Sequence, residues 1–257
     1  MAEASDMIKK WFVTIPELSG TFRRCVYIYL PDSYNIEPDR RYPVMYMFDG
    51  HNVFYDSDAT FGKSWGMENF LQEQKKDLIV VAVACNHEGN GRLEEYSPFD
   101  FQDETVGTIK GRGAGYMKWL TKKLKPLIDS RFRTLRDRKH TILCGSSMGG
   151  LMALYGACSY SHIFQRVACL SPSLWVDPAQ VLQMIAKGNI RQDARIYMDY
   201  GSKELSNHAA SAGALLSVTH LLMTKQVPIT LRIVPGGEHC EASWEKQIPV
   251  FMECLGV

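Results

Sequence analysis

The sequence pattern that most clearly indicates catalytic chemistry is the pentapeptide Gly145-Ser146-Ser147-Met148-Gly149. An apolar run over 141–144 precedes it, and a helix-like stretch starting at Gly150 follows it. Gly-x-Ser-x-Gly between a strand and a helix predicts a sharp turn, the nucleophile elbow, that lifts the central serine above the sheet. Unpaired N–H groups at the start of the helix would favour a developing oxyanion. Ser147 is therefore the candidate nucleophile, and we assign Ser146 to packing.

A serine hydroxyl attacks efficiently only when a base takes its proton and an acid orients that base. With a nucleophile elbow, the acid and then the histidine follow later strands in chain order. His239 lies in a Gly-rich loop between the last predicted strand and the final helix, and we take it as the base. Glu204 and Asp199 both follow the strand predicted over 195–198. We favour Glu204, whose loop position could reach His239, whereas Asp199 at the strand end could simply cap the sheet.

An oxyanion formed at Ser147 requires two preorganised N–H donors. The first is expected from Met148, directly after the nucleophile. The second is expected from the loop after the strand predicted over 43–48, and the N–H of His51 is our candidate. Asp49-Gly50 also predicts an ordinary β-turn. Considered without the other motifs, this loop would be interpreted as a turn alone.

These residues must be positioned by alternating strands and helices, a pattern that predicts one α/β domain over 1–257. The apolar run 78–85 is typical of a strand buried on both faces. The long segment 86–116 is expected to be a functional loop. The predicted strands are 8–14, 22–30, 43–48, 78–85, 141–144, 167–170, 195–198 and 229–234, and the predicted helices are 117–132, 149–160, 178–187, 205–225 and 241–254.

The composition narrows the function classes. Hydrophobic residues make up 46% of the 257 residues, and the net charge of +1 does not favour nucleic acid or acidic membranes as partners. No apolar stretch approaches the roughly 20 residues of a membrane span, and the N-terminus lacks a signal-peptide pattern. The seven cysteines include no CxxC pair, so we expect reduced thiols and a cytoplasmic location. The absence of an HExxH motif disfavours a metal hydrolase.

Several other segments stand in a fixed order around these motifs. They are 41–54, 92–98, 124–129, 145–151, 170–175, 201–204 and 236–239. Together they resemble the putative esterase family of α/β-hydrolases, which contains enterochelin-type siderophore esterases, feruloyl esterases, S-formylglutathione hydrolase and mycolyltransferases. The resemblance extends from about residue 20 to the C-terminus.

The resemblance implies an α/β-hydrolase fold, with a mostly parallel central sheet flanked by helices on both faces. It also implies ester hydrolysis through an acyl-enzyme, with neither metal nor cofactor. In this resemblance, Ser147 stands at the position of the family's nucleophile, Glu204 at that of the acid and His239 at that of the base. His51 and Met148 fall where related enzymes have oxyanion donors.

Substrate contacts are expected from Asn52, Trp65, Arg92 and Trp175. Arg92 could orient a polar or anionic substrate, or pair with Glu94 or Glu95 to hold its loop. The tryptophans could stack on a sugar or an aromatic acyl group. The first substrate hypothesis is a small carbohydrate-linked acetyl or feruloyl ester. A siderophore trilactone esterase and an acyltransferase with the same triad remain alternatives, and the sequence leaves open whether the chain forms a homo-oligomer.

Overall fold

The apolar runs pair into an eight-stranded sheet in the computed structural model, which describes residues 7–207 and 209–257. A two-stranded hairpin lies outside that sheet. The strands are β1 (Ile8–Thr14), β2 (Arg23–Tyr29), β3 (Val44–Met47), β4 (Ile79–Val83), β5 (Phe101–Asp103), β6 (Gly107–Ile109), β7 (Thr141–Ser146), β8 (Arg166–Leu170), β9 (Arg195–Gly201) and β10 (Ile229–Val234).

The order of the main sheet is β1-β2-β4-β3-β7-β8-β9-β10. From β4 to β10 every neighbouring pair is parallel, whereas β2 is antiparallel to both β1 and β4. The predicted mostly parallel sheet is confirmed. Because parallel strands end at the same edge of the sheet, the loops after β3, β7, β8, β9 and β10 meet there.

Helices cover the sheet on both faces, as predicted. Side chains alternate along β3: Val44 and Tyr46 join one core cluster, and Met45 and Met47 join the other. The helices are α1 (Pro16–Ser19), α2 (Ser33–Ile36), α3 (Met67–Glu73), α4 (Gly91–Glu95), α5 (Gly113–Trp119), α6 (Lys125–Arg131), α7 (Met148–Ser159), α8 (Pro178–Lys187), α9 (Ser202–Asn207), α10 (Ala209–Thr224), α11 (Glu241–Glu245) and α12 (Ile248–Leu255).

Two helical segments differ from the prediction. The helix expected over 117–132 begins earlier and contains a π-helical turn, Leu120–Leu124, that ends two residues before Pro126. Proline cannot donate to the preceding turn and crowds it, which accounts for the widened turn. The helix expected over 241–254 is divided into α11 and α12, with a proline in the first turn of α12.

The segment expected to be a loop over 86–116 contains α4, the β5–β6 hairpin and the start of α5. Its elements are only three to seven residues long, too short for a periodic pattern. Residue 208, inside the helix predicted over 205–225, lies outside the described residues. Across 7–207 and 209–257, no helix combines the length and apolar character that crossing a bilayer requires.

Candidate active site

Ser147 occupies the tight turn between β7 and α7. Its backbone has φ 57° and ψ −125°, a conformation that non-glycine residues rarely adopt. Its N–H donates to the carbonyl oxygen of Leu170 at 2.9 Å. A Cβ atom at Gly145 would lie 2.5 Å from the carbonyl oxygen of Gly149, so this position requires glycine. The turn is the predicted nucleophile elbow, and it leaves the serine partly exposed.

Glu204, in the first turn of α9, accepts a hydrogen bond from His239. The distance between Nδ1 of His239 and Oε2 of Glu204 is 2.6 Å. The other carboxylate oxygen accepts from the Gly201 N–H at 2.8 Å and from the Ser171 hydroxyl at 2.7 Å. Burial alone would raise the pKa of Glu204, but the hydrogen bonds from His239, Ser171 and Gly201 lower it overall. The acid is therefore an ionised acceptor that fixes the orientation of the imidazole.

Asp199, the other acid considered, has different partners. One of its oxygens accepts from the Ser171 N–H at 3.2 Å and the other from the Tyr197 hydroxyl at 2.8 Å. Burial raises the pKa of Asp199 to about 7. Of the two acids at this strand end, Glu204 is the one that contacts His239.

The contact between the histidine and the serine is not made in this conformation. Among residues 7–207 and 209–257, no hydrogen bond joins Ser147 to His239, and Oγ of Ser147 lies 3.5 Å from Oγ of Ser173. The two parts of the site are connected through the segment after β8. The Leu170 carbonyl oxygen accepts a hydrogen bond from the Ser147 N–H, and the hydroxyl of the next residue, Ser171, donates to Glu204. Catalytic hydrogen bonds often shorten only in the substrate complex.

Ser171 and Trp244 support the acid and the histidine, and the sequence did not single out either role. Nε1 of Trp244 donates to Oγ of Ser171 at 3.0 Å, and the Trp244 ring packs edge-on to the His239 ring with centroids 5.0 Å apart. Ser171 has a positive φ of 42°. Ser171 belongs to the segment 170–175 that resembles the esterase family, and this resemblance was the one sequence feature that could have indicated its role. Trp244 had none, because its hydrogen-bond partner Ser171 is 73 positions away in the sequence.

The candidate oxyanion donors follow two adjacent strands, β7 and β3. Met148 is the first residue of α7, where backbone N–H groups have no acceptor inside the helix. His51 lies within the short 3₁₀ helix Gly50–Asn52 that follows β3. This loop packs against the elbow, because a Cβ atom at Gly149 would lie 3.4 Å from Oδ2 of Asp49. The arrangement brings both donors to the same edge of the sheet as Ser147.

Arg92 holds the base of this loop through Asp49, a partner that the sequence analysis did not consider. Its Nε and one terminal nitrogen donate to the two carboxylate oxygens at 2.8 Å each. Burial would raise the pKa of Asp49, but Arg92 lowers it overall. Asp49 has a left-handed φ of 52°, and its N–H donates to the Tyr96 hydroxyl at 3.1 Å.

The alternative partners predicted for Arg92 are corrected by these contacts. Glu95 binds Arg24 instead, through two hydrogen bonds of 2.7 and 2.9 Å. The carboxylate that Arg92 contacts is Asp49, across the sheet edge, and not Glu94 or Glu95. A contact between Arg92 and substrate remains a prediction.

The other residues predicted to contact substrate differ in exposure. The Asn52 amide donates to Glu241 at 3.0 Å and its oxygen accepts from the Thr60 N–H at 2.9 Å, so this side chain joins the segment around Thr60 to the start of α11. Trp65 is only 3% exposed and packs 6.0 Å from Trp244, which assigns it to the core and does not fit substrate contact. Trp175 is 46% exposed and stands two residues after Ser173.

Comparisons with known proteins agree with this architecture. The model of the family described as "Putative esterase" matches residues 21–252. YbbA of Bacillus subtilis (strain 168), described as an uncharacterized protein, is 25% identical over 180 residues, which are 69% of this chain and 67% of YbbA. The ferri-bacillibactin esterase BesA of the same strain is 24% identical over 171 residues, which are 60% of this chain and 56% of BesA.

Similarity to a solved structure covers nearly the whole chain. The enterobactin esterase FES from Shigella flexneri matches with a TM-score of 0.73 and 18% identity, over 99% of this chain and 59% of FES. This chain thus spans little more than half the length of BesA or FES. The match over residues 21–252 shows that the chain belongs to the Putative esterase family, with an α/β-hydrolase fold and the enzyme class of carboxylic ester hydrolases.

Proposed function

We propose that this chain is a serine esterase that uses Ser147 as nucleophile, His239 as base and Glu204 as acid. The observation that carries the proposal is the 2.6 Å hydrogen bond between His239 and Glu204 at the sheet edge that also holds the strained Ser147. An ionised acid bonded to Nδ1 leaves Nε2 of the imidazole as the nitrogen that accepts a proton.

In the proposed reaction, His239 takes the proton of Ser147 while the serine oxygen attacks the ester carbonyl. The N–H groups of Met148 and His51 donate to the oxyanion of the tetrahedral intermediate. The imidazolium, steadied by Glu204, then protonates the departing alcohol. Water, activated by the same histidine, hydrolyses the acyl-enzyme and restores the serine.

The substrate we propose first is a siderophore ester, because the resemblance includes enterochelin-type siderophore esterases and because BesA and FES are described as a ferri-bacillibactin esterase and an enterobactin esterase. This reverses the order expected from the sequence, in which a carbohydrate-linked acetyl or feruloyl ester came first. The exposed Trp175 offers a flat apolar surface that suits a catechol or a feruloyl ring. The carbohydrate-linked ester therefore remains the second candidate.

The experiment compares purified wild type with Ser147→Ala and with Ser146→Ala as the matched control. We expect Ser147→Ala to lower kcat for p-nitrophenyl acetate by at least about 10³-fold, with the thermal unfolding midpoint nearly unchanged. Ser146→Ala should keep most of the activity. Equal losses in the two variants would contradict the assignment of the nucleophile.

The substrate class is tested separately, with a siderophore trilactone against feruloylated and acetylated sugars and product identification by mass spectrometry. The proposal expects the highest kcat/KM for the trilactone. A higher value for a sugar ester would establish the second candidate instead.

A further inference from the structure

A cluster of metal-ligating side chains lies at the candidate oxyanion loop, and these side chains have no part in the proposed reaction, which uses only the backbone N–H of His51. His51 follows β3, and Cys85 and His87 follow the neighbouring strand β4. One ring nitrogen from each histidine and the Cys85 sulfur lie within 4.8 Å of one another. Sγ of Cys85 is 3.8 Å from Nδ1 and 3.9 Å from Nε2 of His87. The two histidine rings are edge-on with centroids 4.4 Å apart.

A second observation concerns His51 itself. The residue is 6% exposed, and its Nδ1 has no hydrogen-bond partner among residues 7–207 and 209–257. Its Nε2 lies 3.0 Å from the hydroxyl of Thr60. If Nε2 carries the proton and donates to Thr60, Nδ1 presents a bare lone pair. Histidines that bind metals commonly have this arrangement, in which the second nitrogen is fixed by a hydrogen bond.

From this geometry we propose that His51, Cys85 and His87 bind one borderline-soft transition-metal ion, with Zn²⁺ as the representative. Two imidazoles and one thiolate are ligand types that Zn²⁺ prefers, and a water molecule completes the tetrahedron. Ligand atoms around Zn²⁺ are about 3.3–3.6 Å apart, as bond lengths of 2.0–2.3 Å require. The three ligand atoms would therefore move closer to one another by a distance on the order of 1 Å when the metal binds.

Access from solvent also fits a metal site. His87 is exposed, so it opens the cluster to solvent and its ring can turn a nitrogen toward the sulfur. Cys85 is buried and must release its thiol proton as the metal binds. Burial and the Asp49 carboxylate, which is paired with Arg92, raise the pKa of this thiol, so the metal ion has to displace the proton. The thiolate then gives the ligand set one negative charge, and the bound metal links the loops that follow β3 and β4.

The test is a titration with Co²⁺, which reports thiolate ligation as a charge-transfer absorption band, together with equilibrium dialysis against Zn²⁺. We expect one Zn²⁺ per chain and the band in wild type. Cys85→Ser should abolish the band, and His87→Ala should weaken Zn²⁺ binding more than about ten-fold. His162→Ala and Cys254→Ser serve as matched controls and should bind like wild type.

His87 is exposed, so its replacement leaves the fold intact even if Cys85→Ser proves unstable. Absence of the band in wild type would overturn the proposal. So would a band that persists in Cys85→Ser, or unchanged Zn²⁺ affinity in His87→Ala. Binding that disappears with His239→Ala and persists in His87→Ala would place the metal at the candidate active site instead. None of these readouts depends on esterase activity, so failure of this proposal is distinguishable from failure of the proposed function.

Discussion

Glu204 and Asp199 are separated by five positions in the chain, yet their surroundings give them different ionisation. Glu204 accepts three hydrogen bonds, and its pKa is lowered overall. Asp199 accepts two, and burial raises its pKa to about 7. An acid that must steady an imidazolium has to be ionised at neutral pH. This difference makes Glu204 the better candidate on physical grounds.

The two acids should respond differently to amide substitution. We expect Glu204→Gln to lower kcat by about 10³ to 10⁴-fold, because the amide favours the wrong tautomer of His239. Asp199→Asn should cost much less, because the side chain is partly protonated at neutral pH and an amide resembles the protonated acid. Steady-state kinetics at pH 7.5 decides the matter, and a larger loss for Asp199→Asn would reverse the assignment.

The raised pKa of Asp199 also predicts a pH dependence of stability. Below about pH 4 the carboxyl is protonated in both the folded and the unfolded protein. Between about pH 4 and 7 the unfolded chain releases this proton while the folded protein retains it, so the free energy of unfolding falls as pH rises. The amide introduced by Asp199→Asn does not titrate in this range. Relative to wild type, that variant should therefore gain on the order of 3 kcal/mol between pH 4 and 8.

Urea denaturation of both proteins at several pH values in this range measures the difference. Glu204 is present in both proteins, so the difference reports Asp199 and its interaction with Glu204. A difference that stays constant with pH would contradict the raised pKa of Asp199.

At the scale of elements, the elbow depends on close approach of β7 and α7. A methyl group at Gly145 would meet the Gly149 carbonyl, which belongs to the backbone and cannot rotate away. We expect Gly145→Ala to destabilise the protein by about 1–3 kcal/mol and to lower kcat by displacing Ser147.

Gly213 in α10 is the matched control, because no atom lies within 4 Å of its Cβ position among the described residues. Gly213→Ala should stabilise the protein by roughly 0.5–1 kcal/mol. Thermal and urea unfolding measure both variants. Equal effects would show that the elbow tolerates a side chain.

The Arg92–Asp49 ion pair holds the loop that carries His51. Removing the guanidinium leaves the Asp49 carboxylate, which is only 5% exposed, without a charged partner. We expect Arg92→Met to lower the free energy of unfolding by about 3–5 kcal/mol. It should also lower kcat roughly 10 to 100-fold through displacement of the oxyanion loop. Arg40→Met, which removes two exposed ion pairs, should have a much smaller effect on both.

The division between KM and kcat separates this positioning role from the predicted substrate contact. A positioning role predicts similar losses for neutral and anionic esters, mainly in kcat. A KM increase confined to anionic esters, in Arg92→Met or in Arg92→Lys, would indicate that Arg92 binds substrate directly.

At the scale of the whole molecule, the central strands could be predicted because parallel strands buried on both faces are continuous apolar runs. The run over 78–85, for example, contains β4. The sheet order could not be predicted, because pairing depends on packing across the sheet. The short elements within 86–116 were also missed, since three to seven residues carry too little periodicity.

The candidate site could also be predicted only in part. Chain order predicted Ser147 and His239 and left Glu204 and Asp199 as candidate acids, and the fold brings these residues to one edge of the sheet. The partners that depend on contacts across the sheet could not be inferred. Arg92 with Asp49 and Trp244 with Ser171 are 43 and 73 positions apart. The burial of Trp65 was missed for the same reason, because a tryptophan that follows a strand has the same local sequence pattern in a rim and in a core.

Covalent labelling with a fluorophosphonate, followed by intact-mass measurement and peptide mapping, tests the proposed nucleophile most directly. The reagent reacts with an activated serine and forms a stable phosphonyl ester. We predict one adduct per chain, located on Ser147, absent from Ser147→Ala and formed far more slowly in His239→Ala. An adduct on another serine, such as Ser173, or no adduct on a folded wild-type protein, would contradict the account.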